Sequence, residues 1–266
     1  MRRHLRLYRA FWRNCTRQAV EFRANFWANL LTNVGWLFSL VLFMKLIYLN
    51  TRSVAGWSEG EMFLLVGTYS VMLGIADTLF YRNLSELPNQ IRLGTMDFTL
   101  LRPVNSQFFV SLRYVALDAL GQFVGAVALL GYGMSRAHAA LHPAALAGYV
   151  FLMLCGVVIF YSIGLMAMTL SFWLVRLDNL FVAVDTLLSL GRTPIDVFRA
   201  WGRIPQFVLT YVFPVAFLAA MPVKALARHL NGPSALLLGP LIAGTLFLLS
   251  VLFWRYATRA YASASS

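Results

Sequence analysis

Three aspartates stand where carboxylates are expensive: Asp77, Asp118 and Asp185 fall within or at the ends of apolar runs. An acidic side chain at the middle of a membrane helix costs about 2.5–3.5 kcal/mol, while each Leu, Ile, Phe or Val returns about 0.3–0.6 kcal/mol. Such a residue either pairs with a cation or lines an ion or substrate path. Asp77 precedes Arg82 and Asp118 follows Arg113, so structural pairing is the first reading of both, with Asp77 also open to an arginine from another span. The alternative is a path for a cationic or amphipathic compound, and for Asp185 the two readings stand level. His138 and His142, at i and i+4 in "HAALH", have the spacing of two ligands on one helix face. No third ligand is near and Pro143 reads as a loop end, so they are taken as exposed loop histidines.

No catalytic set assembles from the rest of the chain. Gly-x-Ser-x-Gly and His-Glu-x-x-His are missing, and with them the common hydrolase arrangements. A phosphate-cradling loop needs a glycine-rich run ending in Gly-Lys-Ser/Thr; the only lysines, Lys45 and Lys224, follow Met44 and Val223. The chain therefore encodes no nucleotide-hydrolysing site, and neither a catalytic residue nor a bound cofactor or metal is expected. Cys15 and Cys155 are far apart, which suggests neither a disulfide framework nor a zinc site.

The elements that must position these residues are set by composition. Of 266 residues 60% are hydrophobic and only 12% charged, with mean hydropathy +0.70; a soluble surface needs more charge. Several runs approach the roughly 20 apolar residues that cross a hydrocarbon core of about 30 Å, which makes this an integral, all-α membrane protein. Its 22 Lys+Arg exceed its 10 Asp+Glu, an imbalance that also suits nucleic-acid binding. Seven arginines crowd the first 23 residues, ahead of any apolar span, so topology and anionic lipid explain the excess and no nucleic-acid partner is expected.

Residues 1–27 read as an amphipathic interfacial helix. Leu5, Tyr8, Trp12, Cys15, Ala19, Phe22 and Phe26 form one face, and Arg2, Arg6, Arg9, Arg13 and Arg17 form another. A single transmembrane domain follows at 28–256, then a short tail at 257–266. Spans are expected at 28–49, 62–81, 112–134, 145–175 and 235–254. Between Arg176 and Gly232 two arrangements complete a set of six. Hydropathy and the bias of basic residues favour a span at 206–221; the alternative is a short span at 179–191 followed by a segment, Thr193 to Gly232, that dips back into the outer leaflet. Both put the two termini inside.

The stretch "LPNQIRLGTMDFTLLRPVN", residues 87–105, is mostly polar between apolar walls. Pro88 suits the first turn of a helix, where its missing N–H would be unsatisfied anyway, and Gly94 suits the left-handed position that closes one. Leu84, Leu87 and Ile91 share a face at helical spacing. A helix this short is not stable alone in water, so span ends or a partner must hold it.

Together with "TPIDVFRAWGRIPQFVLTYVFPVAFLAAMP" and the terminal "WRYATRAYASAS", this stretch resembles the type 2 ABC exporter permeases, and within them the bacterial branch grouped as ABC-2 family transporter proteins. The likeness covers nearly the whole chain. It implies a six-span permease of the bacterial cytoplasmic membrane, paired with an identical or homologous second permease. Cytoplasmic ATPase subunits beneath the pair would use ATP and Mg, and the cargo would be an amphipathic or hydrophobic compound such as a drug. It further implies that Leu87, Pro88, Gln90, Ile91, Arg92, Leu93 and Gly94 form the coupling helix, with Leu87, Ile91 and Arg92 touching the motor, and that the fifth span is followed by a re-entrant outer segment. On that ground the second arrangement of 176–232 is adopted against the charge bias. Asp77, Asp118 and Asp185 are then substrate-path candidates. An ion-coupled transporter would need a charge relay or inverted repeats, and a membrane-embedded transferase a polar catalytic cluster; neither pattern is present.

Overall fold

A computed structural model of the chain describes residues 8–9, 11–13, 15–16, 23–116, 120–137, 142–174, 178–227 and 234–261. Among these residues there is no strand, only an isolated bridge between Val54 and Trp57. The first long helix, α1 (Arg23–Asn50), is followed by α2 (Glu59–Ala76), which continues without a break through a π-helical turn (Asp77–Tyr81) into α3 (Arg82–Ser85) and α4 (Leu87–Arg92). Two short helices, α5 (Met96–Leu100) and α6 (Ser106–Leu112), precede α7 (Leu120–Arg136) and α8 (Pro143–Thr169). Then come α9 (Asp178–Ser189), the short α10 (Arg203–Phe207) and α11 (Ala220–Ala227), and finally α12 (Ser234–Ala260).

Among the described residues, three helical stretches are long and apolar enough to cross a membrane: Glu59–Arg92, Pro143–Phe172 and Leu236–Ala260. A shorter apolar helix spans Val34–Asn50. The chain starts α2 with a reciprocal cap: the Ser58 hydroxyl accepts from the Glu61 N–H, and the Glu61 carboxylate accepts from the Ser58 N–H at 2.8 Å. That arrangement satisfies two donors which a helix start otherwise leaves open.

Helix α2 packs along α7 through missing side chains. A Cβ at Gly133 would lie 2.6 Å from the Leu64 nitrogen, and one at Gly67 would lie 2.9 Å from the Leu130 nitrogen. Lipid tails are as apolar as leucine, so helices in a bilayer gain from such close backbone approach more than from hydrophobic exclusion. Because Gly60 abuts Ala137, one end of the bundle carries Ser58 and Ala137, and the opposite end carries residues 82–116. We call these the distal and proximal ends.

The expected span at 112–134 begins later than its hydropathy suggested. Residues 113–116 are non-helical because other groups claim their backbone: Asn83 donates to the Tyr114 carbonyl at 2.6 Å and accepts from the Tyr114 N–H at 2.8 Å, and the Thr78 carbonyl accepts from the Ala116 N–H at 3.2 Å. Thr78 lies within the π turn.

The region 206–221, which hydropathy favours as a span, is not one helix. α10 runs through a π turn (Val208–Val212), breaks at Phe213 and Pro214, passes through a 3-10 turn (Val215–Phe217) and restarts at α11. Proline has no N–H to donate and constrains the residue before it, while a hydropathy window registers only composition. The tip of this broken segment reaches deep into the bundle. A Cβ at Gly156 would come within 2.6 Å of the Phe217 carbonyl oxygen, and Gly156 lies thirteen residues into α8, roughly 20 Å at 1.5 Å per residue. Val215 to Ala220 are all buried.

Candidate functional site

The proximal stretch is built from inside outward. Pro88 sits in the first turn of α4, Leu93 ends it with φ −86°, and Gly94 follows at φ +69°. Leu84, Leu87 and Ile91 turn one face inward, with Leu87 fully buried. Leu84 approaches Gly164 of α8, so small residues again admit a neighbour. The next short helix, α5, repeats the pattern, with Met96 and Thr99 buried. Helix α6 is fixed laterally: Gln107 donates to the Tyr161 hydroxyl at 3.1 Å, Ser111 lies 2.9 Å from the same hydroxyl, and Trp254 of α12 donates to Ser106 at 3.2 Å. This carpet of short helices is bound to α8 and α12, and Phe109 of α6 also meets the Phe11 ring edge-on at 5.8 Å.

The carpet also carries exposed apolar side chains. Leu93 is 64% exposed, Phe98 69% and Leu101 81%. Arg92, which donates to Asn89 at 3.0 Å, and Arg102 lie beside them and are also exposed. Of the residues assigned to the coupling helix, Leu87 and Ile91 face inward, while Arg92 and Leu93 face outward. Phe98 and Leu101 extend the exposed face, and nothing in their local sequence distinguishes them from the buried Met96.

The candidate path residues divide. Asp118 and His138 lie outside the described residues, and His142 precedes the first residue of α8. Asp77 opens the π turn of α2, a distortion that recurs at functional positions. Asp185 accepts a 2.6 Å hydrogen bond from the Tyr81 hydroxyl, a short charge-assisted contact. Both aspartates lie within electrostatic reach of Tyr69 and Tyr81, so the structure brings two of the three into one polar cluster on α2 and α9. Asp185 and its neighbours Val182 and Thr186 are on an exposed face of α9.

A third cluster had no sequence signal. Trp57, fully buried, donates from its indole to Asp196 at 2.9 Å; Lys224 lies 2.8 Å from the same carboxylate oxygen and over the Trp57 ring at 5.8 Å. The Tyr48 hydroxyl donates to the Trp57 carbonyl at 2.9 Å. Residues from α1, the loop before α2, the segment after α9, and α11 are thus tied at the distal end.

A helical bundle with membrane-length apolar helices and a carpet of amphipathic short helices at one end defines a polytopic membrane protein. The chain belongs to the ABC-2 family transporter proteins, whose family model matches residues 34–265. It is accordingly a membrane permease of an ABC transporter, a transport subunit whose ATPase is a separate chain. No curated protein and no solved structure matches it.

Proposed function

We propose that the chain is the permease of a bacterial exporter with six crossings and both termini in the cytoplasm, and that its proximal carpet is the surface gripped by the ATPase. The observation that carries this is the two-sided build of residues 87–102. Leu87 and Ile91 anchor α4 to the spans, so a push on the carpet moves the helices above it. Leu93, Phe98 and Leu101, with Arg92, present the contact. Exposed apolar residues in water that form one patch mark an interaction site, and a few aromatic or arginine anchors carry most of such an interface.

Two further parts of the proposal have their own support. The 193–227 segment is re-entrant from the outer side, after α9 has made the fifth crossing: it is broken at Pro214 and buried at its tip. Broken backbone at membrane depth is tolerated when packed in protein. A second permease copy or homologue covers α9, since a carboxylate such as Asp185 is costly against lipid. The path between the copies would then be lined by Asp77, Tyr81 and Asp185 and would carry an amphipathic or hydrophobic compound.

The test is recovery of the ATPase with the tagged full chain from membranes, followed by partner identification. Changing Leu93, Phe98 and Leu101 together to aspartate lowers that recovery at least about tenfold, as expected for loss of interface anchors, and leaves the permease inserted. Unchanged recovery in that variant rules the carpet out as the contact.

A further inference from the structure

Between α1 and the chain that follows α9 lies a cleft of about 520 Å³, walled by Trp36, Phe43 and Ile47 of α1 and by Met62 and Val66 of α2. This is within the size range of small-molecule and lipid-chain sites. Arg192 is the one charged residue in its lining. Arg192 lies toward the distal end of the bundle, beside the first third of the stretch Glu59–Arg92: it follows Gly191, whose Cβ would approach the Tyr69 ring at 3.1 Å. Tyr69 is ten residues along α2 from Glu59, roughly 15 Å at 1.5 Å per residue.

Of the nearby carboxylates, Asp196 is held by Lys224 and Trp57, Glu59 lies 4.0 Å from Lys45, and Asp185, which like Arg192 acts on the Tyr69 hydroxyl, accepts from Tyr81. No hydrogen bond or ion pair among the described residues takes the Arg192 guanidinium. An arginine in a bilayer needs an anion or water, and the cleft it borders is mostly apolar apart from Ser39, Tyr48 and Thr193. Two of the walls, Trp36 and Phe43, are themselves exposed, so the cleft is open at the surface of the bundle.

We infer that this cleft is a binding site for an anionic membrane lipid. Its acyl chain lies against α1 and α2, and its phosphate is paired with Arg192. The guanidinium offers a planar fork matched to phosphate oxygens, and the apolar wall accepts a chain arriving sideways from the bilayer. The site rests on the membrane reading of the chain, and needs neither nucleotide nor the ATPase.

The experiment uses the purified full chain in detergent, incubated with equal amounts of phosphatidylglycerol and phosphatidylcholine of identical acyl chains, with retained lipid read by native mass spectrometry. Wild type retains phosphatidylglycerol at least about fivefold over phosphatidylcholine. Arg192→Gln removes the preference, Arg192→Lys keeps most of it, and Ser39→Trp, a substitution at the exposed rim of the cleft, lowers retention of both lipids. Undiminished preference in Arg192→Gln, or no preference in wild type, overturns the inference. So does a purified wild-type dimer that retains no lipid and that Ser39→Trp converts to monomer, because the cleft is then filled by a second copy. ATPase recovery is measured on the same preparations; its loss or persistence bears on the transporter reading and leaves the lipid result independent.

Discussion

The two ends of the bundle are both made from broken helices, yet they treat their apolar residues in opposite ways. At the distal end the chain buries its breaks: Val215 to Ala220 lie inside, and Asp196 joins Trp57 to Lys224 above them. At the proximal end α4 and α5 each bury one face and leave Leu93, Phe98 and Leu101 outside. Trp201, Ile204 and Phe207 are exposed at the distal side too, but their surroundings differ. Lipid solvates leucine and tryptophan suits the interface, whereas on the proposed topology a phenylalanine and two leucines beside Arg92 and Arg102 face water. Exposure therefore has to be weighed against the solvent on that side. On that proposal one end is built to be packed, the other to be held by another protein.

The largest expected effect separates anchor from contact within the proximal end. Leu87→Ala removes a fully buried side chain and lowers stability by about 2–5 kcal/mol, read as thermal unfolding in detergent. Phe98→Ala leaves that unfolding within about 0.5 kcal/mol of wild type, as surface changes do, and instead weakens ATPase recovery. If the two variants behave alike, the carpet has no inner and outer side. The double change Ile91→Ala with Arg92→Ala straddles the division and should uncouple transport in a chain that still inserts.

Much of this proximal architecture was legible in the sequence. Pro88 and Gly94 punctuate the backbone by chemistry that acts on their own residues, and the 84, 87, 91 spacing needs only helical geometry. What stayed hidden was which side the face turns to. Met96 and Phe98 are both large and apolar, and only the position of α8 decides that one is buried and the other exposed. Long-range pairs were equally invisible: Tyr81 meets Asp185 across 104 residues and Trp57 meets Asp196 across 139, and neither pair has local periodicity. The hydropathy window at 206–221 hides a different feature, since it averages over Pro214, where the helix breaks.

A middle-sized effect belongs to the distal lock. Asp196→Asn weakens two contacts at once, leaving the Lys224 ammonium without its counter-charge, and should cost about 1–3 kcal/mol. Replacing Lys224 by methionine in that background restores part of the loss, because the unpaired charge is gone. Additive losses in the two single variants and the double would mean that Asp196 and Lys224 do not act together. Smaller still, Ser58→Ala removes one half of the cap on α2 and costs about 1 kcal/mol, with ATPase recovery unchanged.

The smallest energetic effect gives the sharpest test of the comparison. Cysteines placed singly at Leu101 and Trp201, both exposed, should each change stability by no more than about 0.5 kcal/mol. The native Cys15 and Cys155 are buried, so a charged, membrane-impermeant maleimide reports the introduced thiol. Applied to intact cells it should label the Trp201→Cys variant and spare Leu101→Cys; applied to inverted vesicles the pattern should reverse. α9 and the 193–227 segment supply one crossing between them: if α9 crosses, residue 201 lies on the side opposite residue 101, and if 206–221 crosses, the two share a side. Labelling of both positions from the same side makes 206–221 a crossing despite its broken helix, and the contrast between a packed end and a gripped end then fails.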